Sequence, residues 1–328
     1  MYAKPVFLTI SFILAICSLA LAAAGGPSSE PYKNEAEPRQ TGEPAAGRAT
    51  LTPESTLTQP QTTLVGGHRI SYLDQGEGPV VLLLHGIPTN NLMWRKVVPA
   101  LSDRFRVIAP DLLNFGQSAR PEIADVSINA QRRMVFGLMD SLGIGRAHLV
   151  AHDIGGGVAQ LMAVEHPERI DRLILIDAVS FDSWPVPEFE PLQQPGAEGQ
   201  MQLEQFVGMI RSFMPQGVVD QSVMTESVID LYANPWSSEA GKRAFFRNLR
   251  RLDSEYTQAI SAELSRLPHP TLIIWGEKDP FQSVEYAERL AGTIPDSRKV
   301  IIENTGHWLL EEKPKEISAV IRQFLSDE

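Results

Sequence analysis

Hydrophobic positions along the chain come in two rhythms. Short unbroken apolar runs have the length and β-branched content of buried strands: VVLLLHG (80–86), RVIAPD (106–111), AHLVAHD (147–153), RLILIDA (172–178), TLIIWGEKD (271–279) and KVIIENTGH (299–307). Between them, MWRKVVPALSD, INAQRRMVFGLMDSLG, GGVAQLMAVEHPE, SVEYAERLAGT and KEISAVIRQFLS carry apolar residues at three- and four-residue spacing, which predicts helices. Upstream, TTLVGGHRISYLD predicts a hairpin turning at Gly66-Gly67. Strand alternating with helix predicts an α/β fold, a mostly parallel sheet flanked by helices.

The rhythm fails in three places, and each failure divides the chain. Residues 1–22, MYAKPVFLTISFILAICSLALA, have one lysine, a long apolar run and a small-x-small end, the layout of a secretory signal peptide cut after Ala22 or Ala24. Residues 23–60 are rich in Gly, Pro, Ser, Thr and Glu and nearly free of large apolar side chains, so they predict a disordered linker. The stretch from Asp177 to Thr271 is too long for a loop. It holds helical and aromatic segments and predicts a helical cap over 178–267, inserted into a core formed by 61–177 and 268–328.

Composition narrows the partners. The 328 residues carry a formal charge of −11, and no basic run is present, which argues against nucleic acid and anionic membrane. The single cysteine, Cys17, lies in the leader, so the mature chain contains no disulfide and must rely on its core. The expected location is secreted or periplasmic, with no stable membrane association after cleavage. The expected partners are a small apolar substrate and water, with no cofactor and no metal.

Four features stand just after predicted strands, where open α/β sheets place their ligand crevice. Asp153, in Ala151-His152-Asp153-Ile154-Gly155, follows the small-x-nucleophile-x-small elbow pattern, with aspartate where a serine is common. An aspartate that merely caps a helix is the plainer alternative. His85-Gly86-Ile87-Pro88 supplies a turn that can aim the Ile87 amide at the elbow, with the Ile154 amide as a second oxyanion donor. Asp279 follows TLIIW and His307 follows KVIIEN, giving the order nucleophile, acid, histidine. Asp177, at the end of RLILID, is a second acidic position ranked below Asp279.

With these residues in place, 62–327 resembles the α/β-hydrolase superfamily. HGIPTNNLMWRKVVPAL, RVIAPDLLNFGQSARP and VAHDIG resemble its aspartate-nucleophile branch, the haloalkane dehalogenases and epoxide hydrolases. The choice of aspartate has a chemical consequence. A carboxylate is ionised at neutral pH and attacks without a base. On an acyl carbon it would form a high-energy anhydride; on a saturated carbon bearing a leaving group it forms a stable ester. His307, oriented by Asp279, would then activate water to attack the carboxyl carbon of Asp153.

The leaving group separates the two halves of the branch. The resemblance implies side-chain N–H donors for a halide, yet Ile87 and Ile154 hold the positions where dehalogenases carry Asn and Trp, which leaves Trp184 or Trp236 of the cap. It implies cap tyrosines as acids for an epoxide, which points to Tyr232, with Tyr256 as the other cap tyrosine. On the sequence alone epoxide hydrolysis is narrowly favoured over dehalogenation. A silent binding protein and an acyl hydrolase on the same fold are the remaining classes. Phe181, Phe189, Phe206, Phe213, Phe245 and Phe246 suggest an apolar pocket under the cap.

Overall fold

The computed structural model describes residues 57–327; the proposed leader, and all but the last four residues of the proposed linker, lie outside them. Eight strands form one sheet: β1 (Gln61–Val65), β2 (His68–Gln75), β3 (Val80–Leu84), β4 (Arg106–Pro110), β5 (Ala147–His152), β6 (Ile170–Ile176), β7 (Thr271–Gly276) and β8 (Ser297–Ile302). Their order is β1-β2-β4-β3-β5-β6-β7-β8, with β1 and β2 antiparallel and the rest parallel. The hairpin turns where expected, with Val65 opposite His68. Gly66 and Gly67 have φ of 56° and 82°, and a two-residue turn with both φ positive favours glycine.

The main helices outside the cap segment are α1 (Ile128–Ser141) and α2 (Ile154–Glu165), then α6 (Glu285–Thr293) and α7 (Pro314–Ser326) near the C-terminus. Helix α2 is buried from Ile154 to Ala163, and this is why its first turn is glycine. A Cβ on Gly155 would stand 2.6 Å from the Leu84 carbonyl oxygen, and one on Gly156 would stand 2.3 Å from Ala178 Cβ. The helix can approach β3 and the end of β6 only without those side chains. One predicted helix is broken. MWRKVVPALSD folds as a 3-10 turn over Asn91–Trp94 and a short helix over Val98–Leu101. Pro99 has no N–H to bond the Arg95 carbonyl, so the later helix cannot extend back through it.

Between β6 and β7 the chain forms helices α3 (Leu203–Phe213), α4 (Glu226–Ala233) and α5 (Glu239–Leu249) with shorter turns. Thr225 and Ser238 cap α4 and α5 by accepting amides of their first turns, and the Asn234-Pro235 pair turns the chain after α4. Phe206, Phe245, Phe246 and Trp236 pack ring against ring at centroid distances of 5.3–6.3 Å, all fully buried. Phe206, Phe245 and Phe246 are therefore the core of this segment, not a pocket lining. Phe181 is also buried, beneath the guanidinium of Arg289. Phe189 and Phe213 are half-buried.

Gly155→Ala is expected to lower stability by at least ~1–3 kcal/mol, because its Cβ meets fixed backbone carbonyls. Gly199→Ala, with nothing within 4 Å, should be neutral or slightly stabilising. Parallel thermal melts of the two variants check this.

Candidate active site

The elbow is built by strain and close approach. Asp153 stands between β5 and α2 with φ 52° and ψ −122°, a conformation rare for a residue with a side chain. It lifts the carboxylate out of the strand toward the turn after β3. There Gly86 leaves the room: a Cβ on it would fall 2.5 Å from Asp153 Cβ and Oδ2. The Ile87 amide donates to Asp153 Oδ2 at 2.8 Å, and the Ile154 amide also hydrogen-bonds the carboxylate. Both backbone donors named from the sequence thus meet on one carboxylate.

That carboxylate is 5% exposed, and burial raises its pKa. His307 and the two amides oppose the shift, while the charge of Asp279 adds to it. His307 Nδ1 donates to Asp279 Oδ2 at 2.7 Å, leaving Nε2 for proton transfer. Asp279 is held by the amides of Phe281 at 2.7 Å and Gln282 at 3.0 Å, both accepted by Oδ1. Burial would depress the imidazole, but the charge and hydrogen bond of Asp279, with the charge of Asp153, raise its pKa above the usual value. Asp177 makes no hydrogen bond to His307; its Oδ1 instead accepts the Gly276 amide at 2.8 Å.

The cap residues named as leaving-group donors are engaged elsewhere. The Tyr232 hydroxyl donates to Glu311 Oε1 and accepts from Arg95 Nη1 at 3.1 Å. Glu311 itself is fixed by Arg95 at 2.5 and 2.7 Å and by Lys96 at 2.7 Å. Burial and then the Glu311 charge push the Tyr232 phenol well above its ordinary value, so its proton is committed. The Trp184 indole N–H donates to Thr257 Oγ1, and that of Trp236 to the Pro88 carbonyl, each at 2.8 Å. All three are structural, because a buried polar tip must find a partner and each found one in the protein. Tyr256 is half-buried and its hydroxyl has no hydrogen bond among the described residues.

Three features were not read from the sequence. His152 donates from Nε2 to the His307 carbonyl at 3.0 Å, and its ring lies 4.6 Å from the His307 ring. Gly217, in the cap segment, carries the Trp308 ring: a Cβ there would be 2.3 Å from the indole nitrogen. The Arg95–Glu311–Tyr232 cluster was signalled only by charges within apolar stretches. One ligand-type atom each of His152, Asp177 and His307 lies within 4.8 Å of the others, and His307 Nδ1 is engaged by Asp279.

A family model described as the alpha/beta hydrolase fold matches residues 79–314. The chain is 30% identical over 263 residues to Haloalkane dehalogenase 2 of Mycobacterium tuberculosis, covering 77% of this chain and 90% of that one. It is 28% identical over 271 residues to 2-hydroxymuconate semialdehyde hydrolase of a Pseudomonas species, covering 80% and 93%. A crystal structure of an alpha/beta hydrolase fold protein from Burkholderia ambifaria superposes with a TM-score of 0.76 at 28% identity, covering 80% and 97%. The chain belongs to the α/β-hydrolase fold family.

Tyr232→Phe tests the corrected role of that residue. It should cost about 1 kcal/mol or somewhat more in stability, since it removes a buried hydrogen bond to a charged group. Turnover should fall no more than a few-fold, measured beside a urea or thermal melt.

Proposed function

We propose that this member of the α/β-hydrolase fold family hydrolyses a carbon–halogen bond at a saturated carbon, through an ester formed on Asp153. The observation that carries the reading is a carboxylate on the strained elbow, bonded by the Ile87 amide at 2.8 Å, beside a His307–Asp279 pair at 2.7 Å. A carboxylate oxygen of Asp153 attacks carbon and the halide leaves with the bonding pair. His307 Nε2 then removes a proton from water, and the hydroxide adds to the carboxyl carbon of Asp153. The oxyanion forms between the amides of Ile87 and Ile154 and collapses, breaking the bond from the carboxyl carbon to the substrate oxygen. The alcohol takes up the His307 proton, and the net change is organohalide and water to alcohol, halide and a proton.

Halide is placed ahead of epoxide because of Tyr232, which reverses the order favoured on the sequence. A halide departs as a stable anion and needs no proton, whereas an opening epoxide leaves an alkoxide that needs an acid. With the Tyr232 proton held by Glu311, that acid is missing from the position expected. The dehalogenase relative supports the same order. The free phenol of Tyr256 is the one observation that favours epoxide opening. An acyl hydrolase is disfavoured by the anhydride that Asp153 would form. Export as a cleaved protein is part of the proposal and rests on the N-terminal pattern alone; N-terminal sequencing that finds Met1 on a membrane-bound protein would remove it.

His307→Gln should let attack proceed and block ester hydrolysis. Mass spectrometry should then find substrate attached to the peptide spanning 148–170 after incubation with a bromoalkane, and Asp153→Asn should give none at first. Single turnover in ¹⁸O water should place label in Asp153. Label found directly in the product, with none in Asp153, would sink the covalent route. A parallel panel of organohalides and epoxides separates the two substrate classes, with Tyr256→Phe reducing diol formation if epoxides are opened.

The pH profile gives a further check. His307 must be neutral to take a proton from water, and its pKa is raised, so turnover should fall as pH drops through a value above about 6.5. Asp279→Asn removes the carboxylate that raises it. The acid limb should move to lower pH, with the rate reduced by orders of magnitude.

A further inference from the structure

Asp177 is a carboxyl group that the proposed mechanism leaves unused, and its surroundings are unlike those of an ordinary anion. It follows β6 at 0% exposure with φ 41°. Its Oδ1 accepts the Gly276 amide, while Oδ2 is sealed from solvent with no N–H donor to accept from, and the other side-chain hydrogen-bond partner of the group is the carboxyl of Asp279. His152 Nδ1 is likewise sealed, with no hydrogen-bond partner. The His307 carbonyl can only accept, so His152 Nε2 carries the proton and Nδ1 is a bare lone pair. One oxygen of Asp177 and one ring nitrogen each of His152 and His307 lie within 4.8 Å of one another. The groups facing Asp177 are thus His152 and Asp153 at the end of β5, Asp279 after β7, and His307 after β8.

Carboxylates crowded into one buried site cannot all ionise, so one of them holds a proton. Asp279 accepts from His307 and from two amides. Asp153 accepts from two amides and faces His307. Asp177 accepts from one amide alone. We propose that Asp177 is a protonated carboxylic acid throughout the working pH range. It is a positioning residue whose Oδ2–H keeps a third negative charge away from His307, beside those of Asp279 and Asp153, and places a donor among otherwise acceptor-only atoms. Burial, followed by the charge of Asp279, pushes its pKa well above the usual carboxylate range, in the direction this assignment requires.

The sign of the stability effect follows. The unfolded carboxyl ionises near pH 3.8 while the folded one keeps its proton, so the folded state binds one proton more and stability falls as pH rises between those two values. Asn keeps the acceptor for Gly276 and places an N–H donor at Oδ2 but has no proton to lose. Relative to the normal protein, the melting temperature of Asp177→Asn should therefore rise from pH about 5 to pH about 8, above the ordinary carboxylate range. In infrared spectra of protein labelled with ¹³C-aspartate, a protonated carboxyl band that shifts in D₂O should be present at pH about 8 and missing from Asp177→Asn. Asp111, which burial pushes up to about 6, is ionised there and does not confuse the assignment.

Rescue supplies the third arm, and this arm alone rests on the proposed hydrolase reading. Asp177→Asn should keep more turnover than Asp177→Ala, which also loses the anchor to Gly276. No protonated band in the normal protein at pH about 8 would overturn the proposal, and that measurement stands even if the variants fail to fold. A band unchanged in Asp177→Asn, or a melting difference flat with pH, would overturn it too. The infrared and melting arms use no substrate, so they hold if no organohalide is turned over.

Discussion

The rest of the site depends on how the carboxyl group of Asp153 is held once it is removed from water, where burial raises its pKa. Burying an unpaired charge is costly, and proteins usually neutralise such a group unless hydrogen bonds and counter-charge hold it. Here the compensation comes from the amide of Ile87, from that of Ile154 and from His307. Each comes from a different turn after a different strand, or from the elbow itself. The parallel sheet is what brings those turns to one edge, and the glycines at 86, 155 and 156 are what let them close in. The local strain at Asp153 is sustained because the packing around it over-determines the backbone.

The same logic of satisfied burial governs the contact between cap and core. Trp236 reaches down to the Pro88 carbonyl, Asn90 reaches up to that of Leu231, and Trp308 reaches Met214, each at 2.8 Å. Asn114, at φ 78°, donates to the Ala244 carbonyl at 2.8 Å. Arg95 and Glu311, both nearly sealed from solvent, add a charged tie that captures Tyr232. Breaking one member of such a buried pair typically costs about 3–5 kcal/mol, which suits a structural role better than a catalytic one. Side chains that looked from the sequence like tools for the substrate are the fasteners of the cap. This leaves none of Tyr232, Trp184 and Trp236 with an uncommitted donor.

Fold and chemistry separate cleanly in this family. The relatives and neighbours include a dehalogenase and a semialdehyde hydrolase at similar identity, so the fold admits more than one reaction. At the elbow of this chain stands Asp153. In the proposed reaction an aspartate there restricts the electrophile to carbon that can be displaced, because the acyl alternative ends in an anhydride. The histidine and acid that follow are the same parts a serine enzyme would use, redirected to water.

By itself the sequence determined the alternation of strand and helix, the hairpin at Gly66-Gly67, the helical insertion after β6 and the positions of Asp153, Asp279 and His307. These are legible because they depend on local periodicity and on a residue's place after its strand. The sequence also ranked Asp279 above Asp177, and in the structure His307 Nδ1 donates its hydrogen bond to Asp279. The break in the helix around Pro99 was readable in principle, since proline removes a local donor. Only the tertiary structure decided where Tyr232, Trp184 and Trp236 spend their hydrogens, because their partners lie between 73 and 148 residues away along the chain. It also decided that His152 and Asp177 share one buried cluster with His307. Side chains that distant meet only when the cap closes on the sheet, and no periodicity in the chain records which atom each will find.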